Sequence, residues 1–246
     1  MAAEAVTVVI LVALLASVAQ SVTAFGFALI SVPAMVFVLD VKDTVVVVSI
    51  LALATEVLLA FRIWPDVRWR TVGGLLVGSW IGMPLGLFVL VRAPEEALRL
   101  TVGVVAVVLA SAIAAGMRIT AHGTATEVAV GGAAGVLSTS TGMSGPPVVA
   151  YLAGRGDERD EFRAVLTMYF MIGSITAVAL FFAAGVVTKD ALLLALAGLP
   201  AVYAGSVLGN WLASRIDAIF FRRVVIALLL ATALSGVGFS ISRLVA

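Results

Sequence analysis

The segment "GVLSTSTGMSGPPVVAYL", Gly135 to Leu152, carries five hydroxyl side chains between Ser138 and Ser144, and Gly142, Gly145 and the pair Pro146-Pro147 interrupt the same few residues. Residues of these types suit one task that needs no ionised side chain. Hydroxyls and backbone N–H groups donate hydrogen bonds to an oxyanion, and glycine lets the backbone come close to it. A helix broken here would aim its new N-terminus, the positive end of the helix dipole, at the same point. Ser140, Thr141, Gly142, Ser144 and Gly145 are therefore candidate anion-binding residues. A second candidate is "SVTAFGFALISVP", which supplies Thr23, Phe25 and Gly26. A neutral site suits an ion that must be released again, because a buried Arg would hold it too tightly. The competing account is helix packing, which also favours small and hydroxylated residues in membranes. For "GVLST" alone packing is the better account; for the full "STSTGMSGPP" binding is.

Glu56, in "ILALATEVLLAF", is the one carboxylate well inside an apolar block. A charge there costs at least a few kcal/mol, so a protonated form or a polar partner is implied. It has two readings: a proton-coupling carboxylate, or a residue near the end of its span that pairs with Arg62 or reaches interfacial water. Other chemistry is poorly supplied. The chain has no Cys and a single His, His122, in the polar loop "ITAHGTATE". It has no H-E-x-x-H motif, and its serines lack a base, so an intramembrane hydrolase, a catalytic site, a metal and a cofactor are not expected. The net charge of +1 with no basic tail argues against a nucleic-acid partner.

The elements that must position these residues are membrane spans. Of the 246 residues, 63% are hydrophobic and 12% charged, which a soluble domain could not accommodate. Apolar blocks cover 4–39, 45–63, 71–91, 98–117, 128–153, 162–187, 191–213 and 220–242, each reaching the ~17–25 residues that cross a bilayer. No Lys or Arg precedes the first block, so a cleaved signal peptide is not expected. Trp64, Trp69 and Trp80 read as interfacial or packing aromatics, and Tyr151 and Tyr169 as packing residues.

The chain also repeats itself. "GMPLGLFVLVRAPEEALR" and "GSVLGNWLASRIDAIFFR" share Gly82/Gly205, Gly86/Gly209, Arg92/Arg215 and Arg99/Arg222 at an offset of 123. "SVTAFGFALISVP" lies on "TSTGMSGPPVVAY" at an offset of 118, with Thr23 on Thr141. The expected architecture is a single all-α polytopic membrane domain, 1–246, of two related halves, 1–118 and 124–246. Weak duplication of this kind is common in secondary transporters. The paired Gly82/Gly86 and Gly205/Gly209 read as close helix packing. Blocks 4–39 and 128–153 have second arms too short to cross, so each is expected to enter, break near 23–28 or 140–146, and return, followed by three full spans. With both returning, one face holds ten basic residues (Arg62, Arg68, Arg70, Arg118, Arg155, Arg159, Arg163, Arg215, Arg222, Arg223) and the other five. That bias puts the first face in the cytoplasm, both termini outside, and the halves inverted.

The two break motifs and the Gly-Arg repeats resemble those of the TauE/SafE family of sulfite exporters, also called the toluene-sulfonate uptake permeases, over nearly the whole chain. The family motif is a glycine cluster, a short apolar run and then Pro, once per half. Here "AFGFALISVP" has Ala24 and Ala28 at frequent glycine positions, and "GMSGPPVVAY" has Pro146 at a glycine position and Tyr151 in place of the proline. The resemblance implies movement of sulfite, sulfonates, sulfoacetate or other small organic anions across the bacterial cytoplasmic membrane. The expected partners are a small anion, protons and the lipid bilayer. A passive anion channel is the alternative, and the sequence leaves direction and oligomeric state open.

Overall fold

A computed structural model describes residues 3–63, 67–213 and 215. Among these residues the chain forms α1 (Ala3–Thr23), α2 (Phe27–Met35), α3 (Val41–Ile63), α4 (Trp69–Arg92), α5 (Glu95–Ala114), α6 (Thr124–Thr141), α7 (Gly145–Arg155), α8 (Arg159–Ala183) and α9 (Lys189–Ala213), with no strand. Six of them, α1, α3, α4, α5, α8 and α9, are long and apolar enough to cross a membrane. The expected span 220–242, Trp64, Arg222, Arg223 and Arg243, and the side chains of Arg62 and Arg159, lie outside the described residues. Large apolar side chains such as Ile81, Leu85, Phe88 and Leu196 face outward, as befits a protein whose solvent is lipid.

Both expected breaks are present. Between α1 and α2, Ala24 (φ 63) and Gly26 (φ 102) are left-handed; between α6 and α7, Gly142 (φ 76) is. Ala24 and Gly142 are equivalent at the offset of 118, so both halves break on the same residue. The second arms have 9 and 11 residues, or roughly 13 and 17 Å, well short of the ~30 Å hydrocarbon core. The first arms differ from expectation. Nothing between Ala3 and Thr23 interrupts the helix, so α1 runs 21 residues and is itself long enough to span.

Three helix pairs dominate the packing: α4 on α6, α1 on α9, and α3 on α8. Glycine makes the first two. Along α4, Gly78 faces Val128 and Gly132, Gly82 faces Gly132 and Val136, and Gly86 faces Val136 and Thr139 of α6. Along α9, Gly205 faces Leu14 and Ser17 of α1, and Gly209 faces Val18 and Ser21. In both seams the numbers rise together, so the helices run parallel. The atoms met are mostly backbone, the close approach that small residues permit in a membrane. The repeated glycines are packing residues, as their spacing suggests.

Polar contacts collect at the two ends of the bundle. At one, Arg155 reaches Thr71 (2.8 Å), Asp157 (3.1 Å) and Glu127 (3.5 Å), Tyr151 donates to Glu127 (3.2 Å), and Arg68 pairs with Glu161 and Asp157. Here the start of α6 and the end of α7 meet. At the other, Glu95 accepts from Val41 N (2.9 Å) and pairs with Arg99 (3.1 Å). Arg99 also donates to the carbonyls of Val36 and Leu39 beyond α2, where a helix leaves its last carbonyls unpaired and favours a cation. Thr188 donates to Asp43 nearby (2.9 Å).

Candidate functional site

The two breaks open onto one cavity of about 50 Å³, large enough to hold more than a single water-sized group. From the first break it is lined by Phe25 and Gly26, and from the second by Gly142, Met143, Ser144 and Gly145. Glu56 of α3 and Phe170 and Ser174 of α8 complete the wall, with Gln20 and Ser138 from the last turns of α1 and α6. Residues remote in sequence thus meet because α1/α2 and α6/α7 both turn back inside the bundle and α3 crosses α8 beside them.

Helices α2 and α7 both begin at this cavity, capped by Gly26 and Ser144 with no side-chain capping bond. The first N–H groups of a helix have no partner within it. In α2 these include Phe27, Ala28 and Leu29; at the same three positions of α7, Pro146 and Pro147 carry no N–H, so Gly145 alone is left. The two helix starts are unequal donors, and α2 supplies more.

Three of the residues expected to bind through hydroxyls do not line the cavity. Thr23, Ser140 and Thr141 donate to the carbonyls four residues back, Ala19 (2.9 Å), Val136 (2.7 Å) and Leu137 (3.0 Å). The cause is local: at the last turn of a helix a Ser or Thr hydroxyl finds its nearest acceptor in its own backbone. Gly26, Phe25, Gly142, Ser144 and Gly145 do reach the cavity. Tyr151 and Tyr169 are buried and hydrogen-bonded, the latter to Ser79 (3.1 Å). His122 and Trp69 are exposed. Trp80 is exposed at its ring but donates to Thr176 (3.2 Å).

Glu56 is 3% exposed and belongs to this cavity, not to the interface. Ser174 and Gln20 turn hydrogen-bonding groups toward its carboxyl. Its Oε2 and the Oε1 of Gln20 have no partner among the described residues. Gln20 was not singled out by motif, yet it is the only glutamine in the chain and sits in its first apolar block. Ser138 and Ser174 are the residues at +118 from Gln20 and Glu56. Extending the register one turn back from the breaks would have paired Gln20 with Ser138.

A second cavity, about 250 Å³, lies on the other side of Phe25. Val22, Thr23, Pro146, Val149 and Phe162 form much of its wall, and Arg118 and Arg163 bring positive charge to it. Arg163 is held by a hydrogen bond to the Ser21 carbonyl (3.1 Å). Phe25 is the one side chain that borders both this cavity and the one at the breaks.

Comparison with known proteins places the chain in a family. The chain matches the family model "Sulfite exporter TauE/SafE" over residues 9–236. It is 30% identical over 179 residues to the "Probable inner membrane transporter protein TsaS" of Comamonas testosteroni, covering 69% of this chain and 72% of that one. No solved structure matches it. The match across nearly all of its helices, two broken ones included, makes this chain a member of the TauE/SafE sulfite exporter family of membrane transporters.

Proposed function

We propose that this protein is a secondary transporter of small sulfur-containing or organic anions, such as sulfite, sulfonates or sulfoacetate, coupled to protons through Glu56. The observation that carries the reading is the shared cavity: two helix starts and a buried carboxyl face the same small space. Unpaired N–H groups and the dipoles of α2 and α7 favour an anion there, and the Ser144 hydroxyl adds a donor. The inner-membrane location given for the Comamonas relative is carried over to this chain, with the Arg68, Arg118, Arg155 and Arg163 end in the cytoplasm.

The architecture belonging to this reading is two inverted repeats, 1–118 and 124–246, each opening with a re-entrant pair. Three features support it. The short arms α2 and α7 are below spanning length. Glu127 at the start of α6 touches Arg155 at the end of α7. The parallel seams α1/α9 and α4/α6 are the same pairing with the halves exchanged.

The direct test is thermal stability of purified protein against sulfite, sulfoacetate, taurine, thiosulfate and simple carboxylates. A ligand at 100 times its Kd stabilises by about 2.7 kcal/mol, so a substrate raises Tm in a concentration-dependent way. Ser144→Leu and Gly145→Leu are expected to abolish that rise and leave the unliganded Tm within a few degrees of wild type. A Cβ on Gly145 would stand 3.7 Å from Phe170 Cζ, an ordinary contact, so the new side chain fills the cavity without breaking the fold. Unchanged anion-induced shifts in both variants would leave the second break a packing feature.

A further inference from the structure

Phe25 and Met143 hold the same place in the two halves, at the offset of 118. Each follows the left-handed residue of its break, Ala24 (φ 63) or Gly142 (φ 76). Each stands two residues before the first turn of its short helix, and both line the cavity at the breaks. Their surroundings otherwise differ. Phe25 is half-buried and forms a wall of the larger cavity that holds Arg118 and Arg163. Met143 is fully buried, and a Cβ on its neighbour Gly142 would meet Val32 and Val45, near the start of α3 that Glu95 caps at the end of the bundle away from those arginines.

Equivalent residues in unlike environments are what a carrier of two inverted halves presents when it rests in one of its two states. We propose that Phe25 and Met143 are paired gates: Phe25 separates the anion cavity from the arginine-lined end, Met143 separates it from the opposite end, and in the structure the arginine side is open as far as Phe25. In the opposite state the environments exchange, with Met143 bordering an open path and Phe25 buried. An unbranched methionine, able to repack as its surroundings change, suits that exchange. The proposal rests on the transport reading and on the inverted halves that belong to it.

The chain has no cysteine, so single-cysteine variants report without background. Phe25→Cys and Met143→Cys would be labelled in right-side-out and inside-out vesicles with the cationic trimethylammonioethyl methanethiosulfonate, which does not resemble the substrate, during anion exchange. Exposed His122→Cys and Glu96→Cys mark the two faces. Phe25→Cys is expected to label only from the His122 face and Met143→Cys only from the Glu96 face. Val149→Cys, on the wall of the larger cavity, reads the first face if Phe25→Cys does not fold. Labelling of both gate positions from one face, or failure of Met143→Cys to label from either face while exchange proceeds, overturns the proposal. Sulfite and sulfoacetate flux in wild-type vesicles tests the transport reading separately. Absent flux with opposite-face labelling overturns transport and leaves the two barriers; same-face labelling with flux intact overturns the gates alone.

Discussion

In proteoliposomes, Glu56→Gln is expected to reduce net anion flux driven by a pH gradient to the level of empty liposomes, while exchange of one anion for another persists. The amide keeps the shape of the carboxyl and its contacts with Ser174 and Gln20, but it fixes the neutral form. Exchange needs no net proton movement and survives that change. Net transport needs a group that takes a proton at one face and yields it at the other, and Glu56 is the titratable side chain lining the cavity. The charged groups on the helices packed around α3 lie elsewhere: Glu4 on α1, Glu95, Glu96 and Arg99 on α5, Glu127 on α6, Asp160, Glu161 and Arg163 on α8, Lys189 and Asp190 on α9. An ionised carboxyl deep in a span costs at least ~2.5–3.5 kcal/mol, and among the described residues Oε2 of Glu56 has no donor to offset this. Proton-driven flux at the wild-type rate in Glu56→Gln would remove the residue from the coupling mechanism.

The glycine seams predict an equally large effect of a different kind. Gly82→Leu and Gly205→Leu should each prevent recovery of folded, monodisperse protein, or lower Tm by well over 10 °C. A Cβ at Gly82 would run into the Gly132 carbonyl, and one at Gly205 into Ser17 and the Leu14 backbone. Backbone cannot rotate away as a side chain can. Overpacking in a yielding core costs roughly 1–3 kcal/mol, and here the two helices must separate along their length. Gly73→Leu is the control, because a Cβ there meets nothing within 4 Å. A Tm drop for Gly73→Leu equal to that for Gly82→Leu would show that the loss does not come from the close contact, since helix propensity by itself favours Leu over Gly.

Much of this was readable from residue order because the chain says the same thing twice. The Gly82/Gly205 register identified two seams, and the Thr23/Thr141 register placed two breaks. Hydropathy gave the spans α3, α4, α5, α8 and α9 directly. What escaped was what depends on direction. Ser140 and Thr141 stand in the right segment, but which way a hydroxyl turns on a helix is set by the nearest free carbonyl, and no spacing reveals that. Gln20 and Ser174 carry no motif; they matter because α1 and α8 bring them against Glu56, a contact between residues 36 and 118 positions away from it in sequence. The spanning length of α1 was missed because its apolar block runs without interruption into α2, so composition alone could not show where one arm stopped.

The pairing of α1 with α9 also sets an order for biosynthesis. Helix α1 leaves the ribosome well before the helix it packs against, which begins at Lys189. At 5–20 residues per second, roughly 10–40 s of translation separate the two. During that interval α1 sits in the bilayer with the groove around Leu14, Ser17, Val18 and Ser21 open to lipid or to whatever insertion factor shields it. Its early neighbours α2 and α3 hold it on other faces, and the groove closes only when Gly205 and Gly209 arrive. The nascent chain therefore waits for α9 before α1 has a permanent place.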